Sequence, residues 1–129
     1  MSKDHPNIAL LARFNPADIN GCADIFADDV IWHFFNPLVP DLHGDYFGCA
    51  GIQDFFDKVA LLTSSAFEIN PISITAIGDE LLVVHRKQTM TLGGQRLESD
   101  VVVVWRIVDG KVSEVWDIPS IHAVQASQI

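Results

Sequence analysis

The run Leu81-Leu82-Val83-Val84-His85-Arg86-Lys87-Gln88-Thr89-Met90-Thr91-Leu92-Gly93-Gly94, continued by Gln95 to Val108, Asp109-Gly110 and Lys111 to Ile118, decides the fold. β-Branched and apolar residues dominate it, and Gly-Gly and Asp-Gly interrupt it, pairs that tolerate the positive φ of tight hairpins. Upstream, Gly78-Asp79 sets off one further segment of the same kind. Four strands are therefore predicted, near Phe67 to Ile77, Leu81 to Leu92, Gln95 to Val108 and Lys111 to Ile118, joined as an antiparallel meander. Leu81 to Val84 and Val101 to Val104 are apolar at both alternating positions. Such strands need cover on both faces.

Helical periodicity precedes the meander. Ile8, Leu11, Ala12 and Phe14 form a short stripe behind Pro6, a residue tolerated in a first helical turn because its missing N–H would be unpaired there. Asn15-Pro16-Ala17-Asp18 reads as a cap, a first-turn proline and an acidic third position, and Ile19, Cys22, Ala23 and Phe26 follow at spacings of three and four. That pattern predicts a second helix from Asn15 or Pro16. Val30 to Phe35 reads as a lone strand, and a loop covers about Asn36 to Phe47 because Asn36-Pro37 and Val39-Pro40 prevent its continuation. Ile52, Phe55, Phe56, Val59 and Leu62 then give the clearest amphipathic helix, opened by Gly48 and Gly51.

The 129 residues suit one domain spanning 1–129, with 49% hydrophobic and 19% charged residues and no unbroken run long enough for a bilayer. Seventeen acidic against eight basic residues give a formal charge of −9, a field that repels nucleic acid and anionic membranes. No apolar stretch follows the charges of Met1 to Pro6, so no secretory or organellar signal is visible and a cytoplasmic location is expected. Cys22 and Cys49 lack CxxC spacing and read as small buried hydrophobes. His33, His43, Asp41 and Asp45 lack an ordered ligand spacing, and no GxGxxG, P-loop or nucleophile elbow occurs. Neither a metal nor a cofactor is expected.

Three segments carry a family resemblance. Phe26-Ala27-Asp28-Asp29-Val30 resembles an F-x-D-D-V segment, Gly48 to Phe55 a G-x-x-x-I-x-x-F helix opening, and Asp109 to Asp117 a D-G-K-I-x-E-x-W-D ending. Together they resemble the ketosteroid-isomerase and SnoaL-like polyketide-cyclase group. The resemblance implies an α+β, cone-shaped cystatin-like or nuclear-transport-factor-2-like fold, with N-terminal helices packed on a curved antiparallel sheet and an open end leading to a hydrophobic cavity between the helices and the concave sheet face. It implies fold rather than reaction, since the group includes isomerases, cyclases, dehydratases, epoxide hydrolases and association domains.

Aligning the turns with a ketosteroid isomerase implies an inward face made of Arg86, Gln88 and Met90, then Ser99, Val101, Val103 and Trp105, then Val115, Asp117 and Pro119. A one-residue slip would turn all of them outward. The isomerase's machinery does not carry over: its base falls near Phe34, its oxyanion-hole acid near Val103 and its tyrosine near Leu10 or Leu11. The aspartate of the SnoaL-like W-D motif matches Asp117, the implied acid/base. A carboxylate in an apolar cavity has its pKa raised towards neutrality by desolvation. The plainer reading is that Asp117 ends a strand and pairs with Arg86 or His33.

His33 lies on the strand that this fold sets beside the last one; inward it would orient Asp117 or share its proton, outward it is a surface histidine. Arg86 either holds a substrate carboxylate, enolate or carbonyl, or pairs with Asp117 or Glu98. His85 and Asp100 are assigned to the outer face. Tyr46, in the loop over the mouth, either offers its hydroxyl to substrate or packs as a lid.

The leading expectation is a cofactor-independent lyase or isomerase acting on a small apolar carbonyl compound through polyketide-cyclase-like proton transfer. A non-catalytic binding or association domain is the alternative, and an epoxide hydrolase using Asp117, Arg86 and Asp100 is a further one. A homodimer through the outer sheet face is expected from Leu82, Val84, Val102 and Val104, all assigned to the face opposite the pocket.

Overall fold

A computed structural model describes residues 5–63, 67–92, 94–121 and 125–126. The amino-terminal residues 1–4 and Gly93, on which two of the readings above bear, lie outside the described residues.

The chain starts with a short helix, α1 (Pro6–Leu11), capped by His5, whose ring Nδ1 accepts from the Asn7 N–H at 3.1 Å. The expected second helix does not form as such. Asn15 Oδ1 accepts from the Ala17 N–H and Asp18 Oδ1 from the Gly21 N–H, and the chain then makes a 3₁₀ helix over Asn20–Ile25. Asn20-Gly21 is a poor helix interior, and the side-chain bonds of Asn15 and Asp18 favour turns instead. Ile19, Cys22 and Phe26 are nonetheless buried, so the spacing identified the right apolar positions and the wrong helix type.

The first strand, β1 (Phe26–Phe34), starts earlier than Val30 because Phe26 already has extended geometry. The last part of the expected loop is a strand, β2 (Gly44–Phe47), paired antiparallel with β1, Tyr46 opposite Trp32. Gly48, at φ +70°, turns the chain directly from β2 into the main helix, α2 (Gly48–Leu62), which buries Ile52, Phe55, Phe56 and Val59 as its periodicity predicts. The meander matches its expected bounds in β3 (Phe67–Ile77), β4 (Leu81–Leu92) and β5 (Gln95–Val108), β6 (Lys111–Pro119) runs one residue further than expected, and a short β7 (Gln125–Ala126) is added against β5. Asp109 and Gly110 both take positive φ, 53° and 75°, the geometry that a two-residue hairpin turn requires.

The strand order is β2-β1-β6-β5-β4-β3, with β1 parallel to β6 and the meander antiparallel. Phe34 thereby lies opposite Asp117, and Asp117 opposite Val103. The core occupies the concave side. Trp32 is fully buried at its centre, its ring 5.3 to 5.9 Å from those of Phe14, Phe55, Phe56 and Trp105.

One assignment of sheet parity is corrected. Leu82 and Val84 share the inner face with Arg86 and are 0% and 8% exposed, because residues two and four apart on a strand point the same way. Of the four residues assigned to the outer face, Val102 and Val104 remain there, alongside the half-buried Leu81 and Val83 of β4. Among the described residues no helix is long and apolar enough to cross a membrane.

Candidate functional site

Side chains from three strands converge on the inner face of the sheet. β6 contributes Asp117, β4 contributes Arg86, Gln88 and Met90, and β1 contributes Phe34; α2 and the Asn36 to Leu42 loop close over them through Phe55, Val59 and Val39. The cavity is about 30 Å³ in volume. Arg86, Gln88 and Asp117 are buried, which is unusual for such residues unless they satisfy one another. They do so only in part.

Arg86 Nη2 lies 3.6 Å from Asp117 Oδ2 and 3.3 Å from Gln88 Oε1, to which it donates. Arg86 therefore pairs with Asp117 and not with Glu98, which is exposed. Asp117 Oδ1 and Arg86 Nε have no hydrogen-bond partner among the described residues. Burial pushes the Asp117 carboxyl above the usual carboxylate range; the Arg86 charge and the nearby Trp32 indole oppose this without cancelling it. The Trp32 N–H makes no hydrogen bond of regular geometry among the described residues.

Arg86 also lines a second, larger space on the same concave face, a groove of about 430 Å³ between α1 and β3. Val103 and Trp105 form part of its floor. Two of the residues expected to face inward from β5 and β6, Val101 and Val115, are buried behind the site without lining either space, and Ser99 is half-buried opposite Gln88.

Two expected contributors are placed elsewhere. His33 points to the outer face, because Trp32 and Phe34 on either side of it fill the core. Its Nδ1 lies 2.7 Å from Asp45 and its Nε2 2.6 Å from Glu114, while its ring stacks on Trp116. It has no access to Asp117. Tyr46 packs its ring against Phe55 and donates its hydroxyl to the Leu42 carbonyl at 2.6 Å, so it anchors the loop and leaves the cavity to others. Asp100 and His85 pair on the outer face at 2.8 Å, where they were expected. Among the described residues no group of three or more His, Cys, Asp and Glu side chains is arranged to hold a metal ion.

The His33 cluster has a measurable consequence. Burial works against its charge, but the hydrogen bonds and charges of Glu114 and Asp45 outweigh it and raise the His33 pKa. A raised folded-state value means stability that is fully present below the unfolded value of about 6.5 and is lost as pH rises through the folded one. His33→Gln is expected to cost about 1 kcal/mol at mildly acidic pH and much less in alkali, since the partners are partly exposed. Thermal unfolding of both proteins across that range checks this, and a pH-independent difference would refute it.

The sequence matches the family model of the SnoaL-like domain over residues 8–115. The chain belongs to the SnoaL-like family. This family includes polyketide cyclases and isomerases. The match ends two residues before Asp117, so the aspartate rests on its position in β6 and not on the family model. The structure of TerC co-crystallised with polyporic acid is similar to this SnoaL-like domain at 27% identity, covering 89% of this chain and 92% of that one, with a TM-score of 0.75. An NTF2-like protein of unknown function from Burkholderia pseudomallei K96243 is 23% identical over 87% and 88% of the two chains, TM-score 0.76. A protein with a cystatin-like fold from Xanthomonas campestris is 21% identical over 89% and 88%, TM-score 0.70. These last two bear on the fold alone, which is the cystatin-like, NTF2-like one. No curated protein sequence matches the chain significantly.

The sequence reading missed what α2 and the Asn36 to Leu42 loop contribute to the cavity and what α1 and β3 contribute to the groove. For α2 a signal existed, since Phe55, Phe56 and Val59 form the apolar stripe that had to face something. For the groove, the resemblance implied a cavity between the helices and the sheet, and only the walls from α1 and β3 went unnamed.

Proposed function

We propose that this SnoaL-like domain is a cofactor-independent lyase or isomerase of the polyketide-cyclase kind, acting on a small apolar carbonyl compound. Asp117 is the proton carrier, and Arg86 with Gln88 steadies the oxygen that gains charge. The observation that carries the reading is the state of Asp117: a carboxyl buried in an apolar cavity, its pKa raised, with Oδ1 unpaired and a guanidinium on its other oxygen. Such an arrangement suits a group that must both take and return a proton near neutrality.

In an aldol cyclisation the Asp117 carboxylate takes the proton from the carbon beside a carbonyl. The C–H electron pair becomes the enolate, whose oxygen is stabilised by the charge of the buried Arg86. The enolate carbon then forms a bond to a second carbonyl carbon of the same substrate, and the resulting alkoxide recovers the proton from Asp117. An isomerisation uses the first half and returns the proton to a different carbon. His33 takes no part, because it lies on the other face of the sheet.

Proton exchange at the α-carbon of aryl ketones such as propiophenone in D2O, followed by NMR, tests the reading. The wild-type protein should accelerate exchange and Asp117→Asn should not. A non-catalytic binding domain is the second reading, favoured by the space of only about 30 Å³ beside Asp117; equal exchange rates with and without protein would select it. Epoxide hydrolysis by an aspartate pair has no geometric support, since Asp100 is turned outward onto His85 and Lys87.

We also propose that the outer sheet face joins two copies of the chain. Val102 and Ile118 are adjacent across β5 and β6 and are 39% and 45% exposed, with the half-buried Val83 and Val104 alongside. A two-fold contact would cover this patch symmetrically. Light scattering at micromolar concentration should give twice the chain mass of 14.2 kDa, and Val102→Glu should give the single-chain mass. A single-chain mass for the wild-type protein would refute the dimer.

A further inference from the structure

The groove between α1 and β3 holds far more space than the cavity at Asp117, about 430 Å³ against about 30 Å³. A volume of that order accommodates a small organic ligand. Leu11 and Phe14 form one wall and Ile69 and Ile74 the other. The floor is different in character. Arg86, 5% exposed, and Trp105, 2% exposed, both face this space. Arg86 Nε and Trp105 Nε1 lack a hydrogen-bond partner among the described residues. The remaining lining residues carry no side-chain acceptor.

Buried donors without acceptors are costly, and two on one apolar floor are complemented by a ligand that brings an acceptor. A guanidinium favours an acceptor that is charged. Nη2 is already turned to Gln88 and Asp117, and Nε, buried without a partner among the described residues, is the donor that a ligand's acceptor would satisfy.

We infer that this groove binds the body of an elongated apolar molecule ending in an anionic oxygen, such as a carboxylate, which Arg86 and Trp105 take. The inference rests on the reading of Arg86 given under Proposed function and deepens it. The apolar body lies along α1 and β3, and the anionic end sits at the arginine that also borders Asp117.

Decanoate and decan-1-ol differ at that end alone and are the probes, titrated at about pH 7.5, where the carboxylate is ionised. Calorimetry should show decanoate binding at least about tenfold more tightly than the alcohol, the margin of one lost charge-assisted hydrogen bond. The Trp105 indole N–H resonance, assigned with Trp105→Phe, should move with decanoate. Arg86→Met should remove the preference for the acid. Ile74→Trp fills the groove from a partly exposed edge-strand position, so it is expected to fold, and it should weaken decanoate by about tenfold or more. Leu61→Trp, on the solvent side of α2 and 81% exposed, is the control that binds as wild type. Equal affinity for acid and alcohol, or unaltered decanoate binding in a folded Ile74→Trp protein, would overturn the inference. Repeating the titrations in Asp117→Asn separates the two readings. Loss of exchange with decanoate binding retained supports both, whereas groove binding in a protein that never accelerates exchange leaves only the ligand site.

Discussion

Asp117→Asn is expected to lower proton-exchange or cyclisation turnover by about 10² to 10⁴-fold, the usual contribution of a positioned acid/base, while leaving the fold intact. The amide is nearly isosteric and keeps an oxygen for Arg86 Nη2, which lies 3.6 Å from Asp117 Oδ2. What it lacks is an atom able to hold and release the proton. The pH profile adds a second readout. Because desolvation raises the Asp117 pKa, the ionised fraction that serves as base should increase up to a point above the usual carboxylate range. The wild-type rate should follow that rise, and the residual rate of Asp117→Asn should not. A folded Asp117→Asn protein with unchanged turnover would remove Asp117 from the chemistry.

The sheet was the part of this molecule most visible in its sequence, and the reason is local. Asp109-Gly110 can satisfy the two positive φ angles of its turn, and a one-residue register shift between Arg106 and Ile107 then sets Val103 opposite Asp117 and Trp105 opposite Val115. Register then carries Arg86, Gln88 and Asp117 to one face together. The same parity places Leu82 and Val84 in the core with Arg86, against their expected outer-face position. His33 could not be oriented from β1 alone, since Val30 to Phe35 is apolar or aromatic at nearly every position. The burial of Trp32 settles it, because a strand cannot turn both neighbours inward.

The features that escaped the sequence depend on tertiary placement. Asn20-Gly21 and the turn-forming bonds of Asn15 and Asp18 break a helix that apolar spacing alone supports, and Tyr46 is drawn onto Phe55 once β2 pairs with β1. The groove exists only because α1 lies over the inner face of the sheet beside its edge strand β3 and leaves space between them. β3 itself shifts register between Pro71 and Ser73, opposite Arg86 and His85. Proline cannot donate to a ladder and belongs at such an edge, but its presence does not say how far the edge stands from α1.

Removing one member of the Arg86 and Asp117 pair should cost far more than removing both. Asp117→Leu leaves a guanidinium that is 5% exposed without its countercharge, and breaking a buried pair in this way is expected to cost about 3–5 kcal/mol. Arg86→Met combined with Asp117→Leu removes both desolvated groups and replaces them with apolar side chains of similar bulk, so it should be neutral or stabilising by about 1–4 kcal/mol. Denaturant unfolding of the wild-type, single and double variants closes the cycle. The pH dependence has a definite sign. The folded carboxyl keeps its proton to a higher pH than the unfolded chain does, so wild type gains stability relative to the double variant as pH falls through the folded value. That gain is complete below the unfolded carboxylate pKa of about 3.9. A double variant less stable than wild type would show that the pair serves the fold. The opposite order would mean that the protein retains a destabilising buried charge pair, as expected where a site is kept for proton transfer.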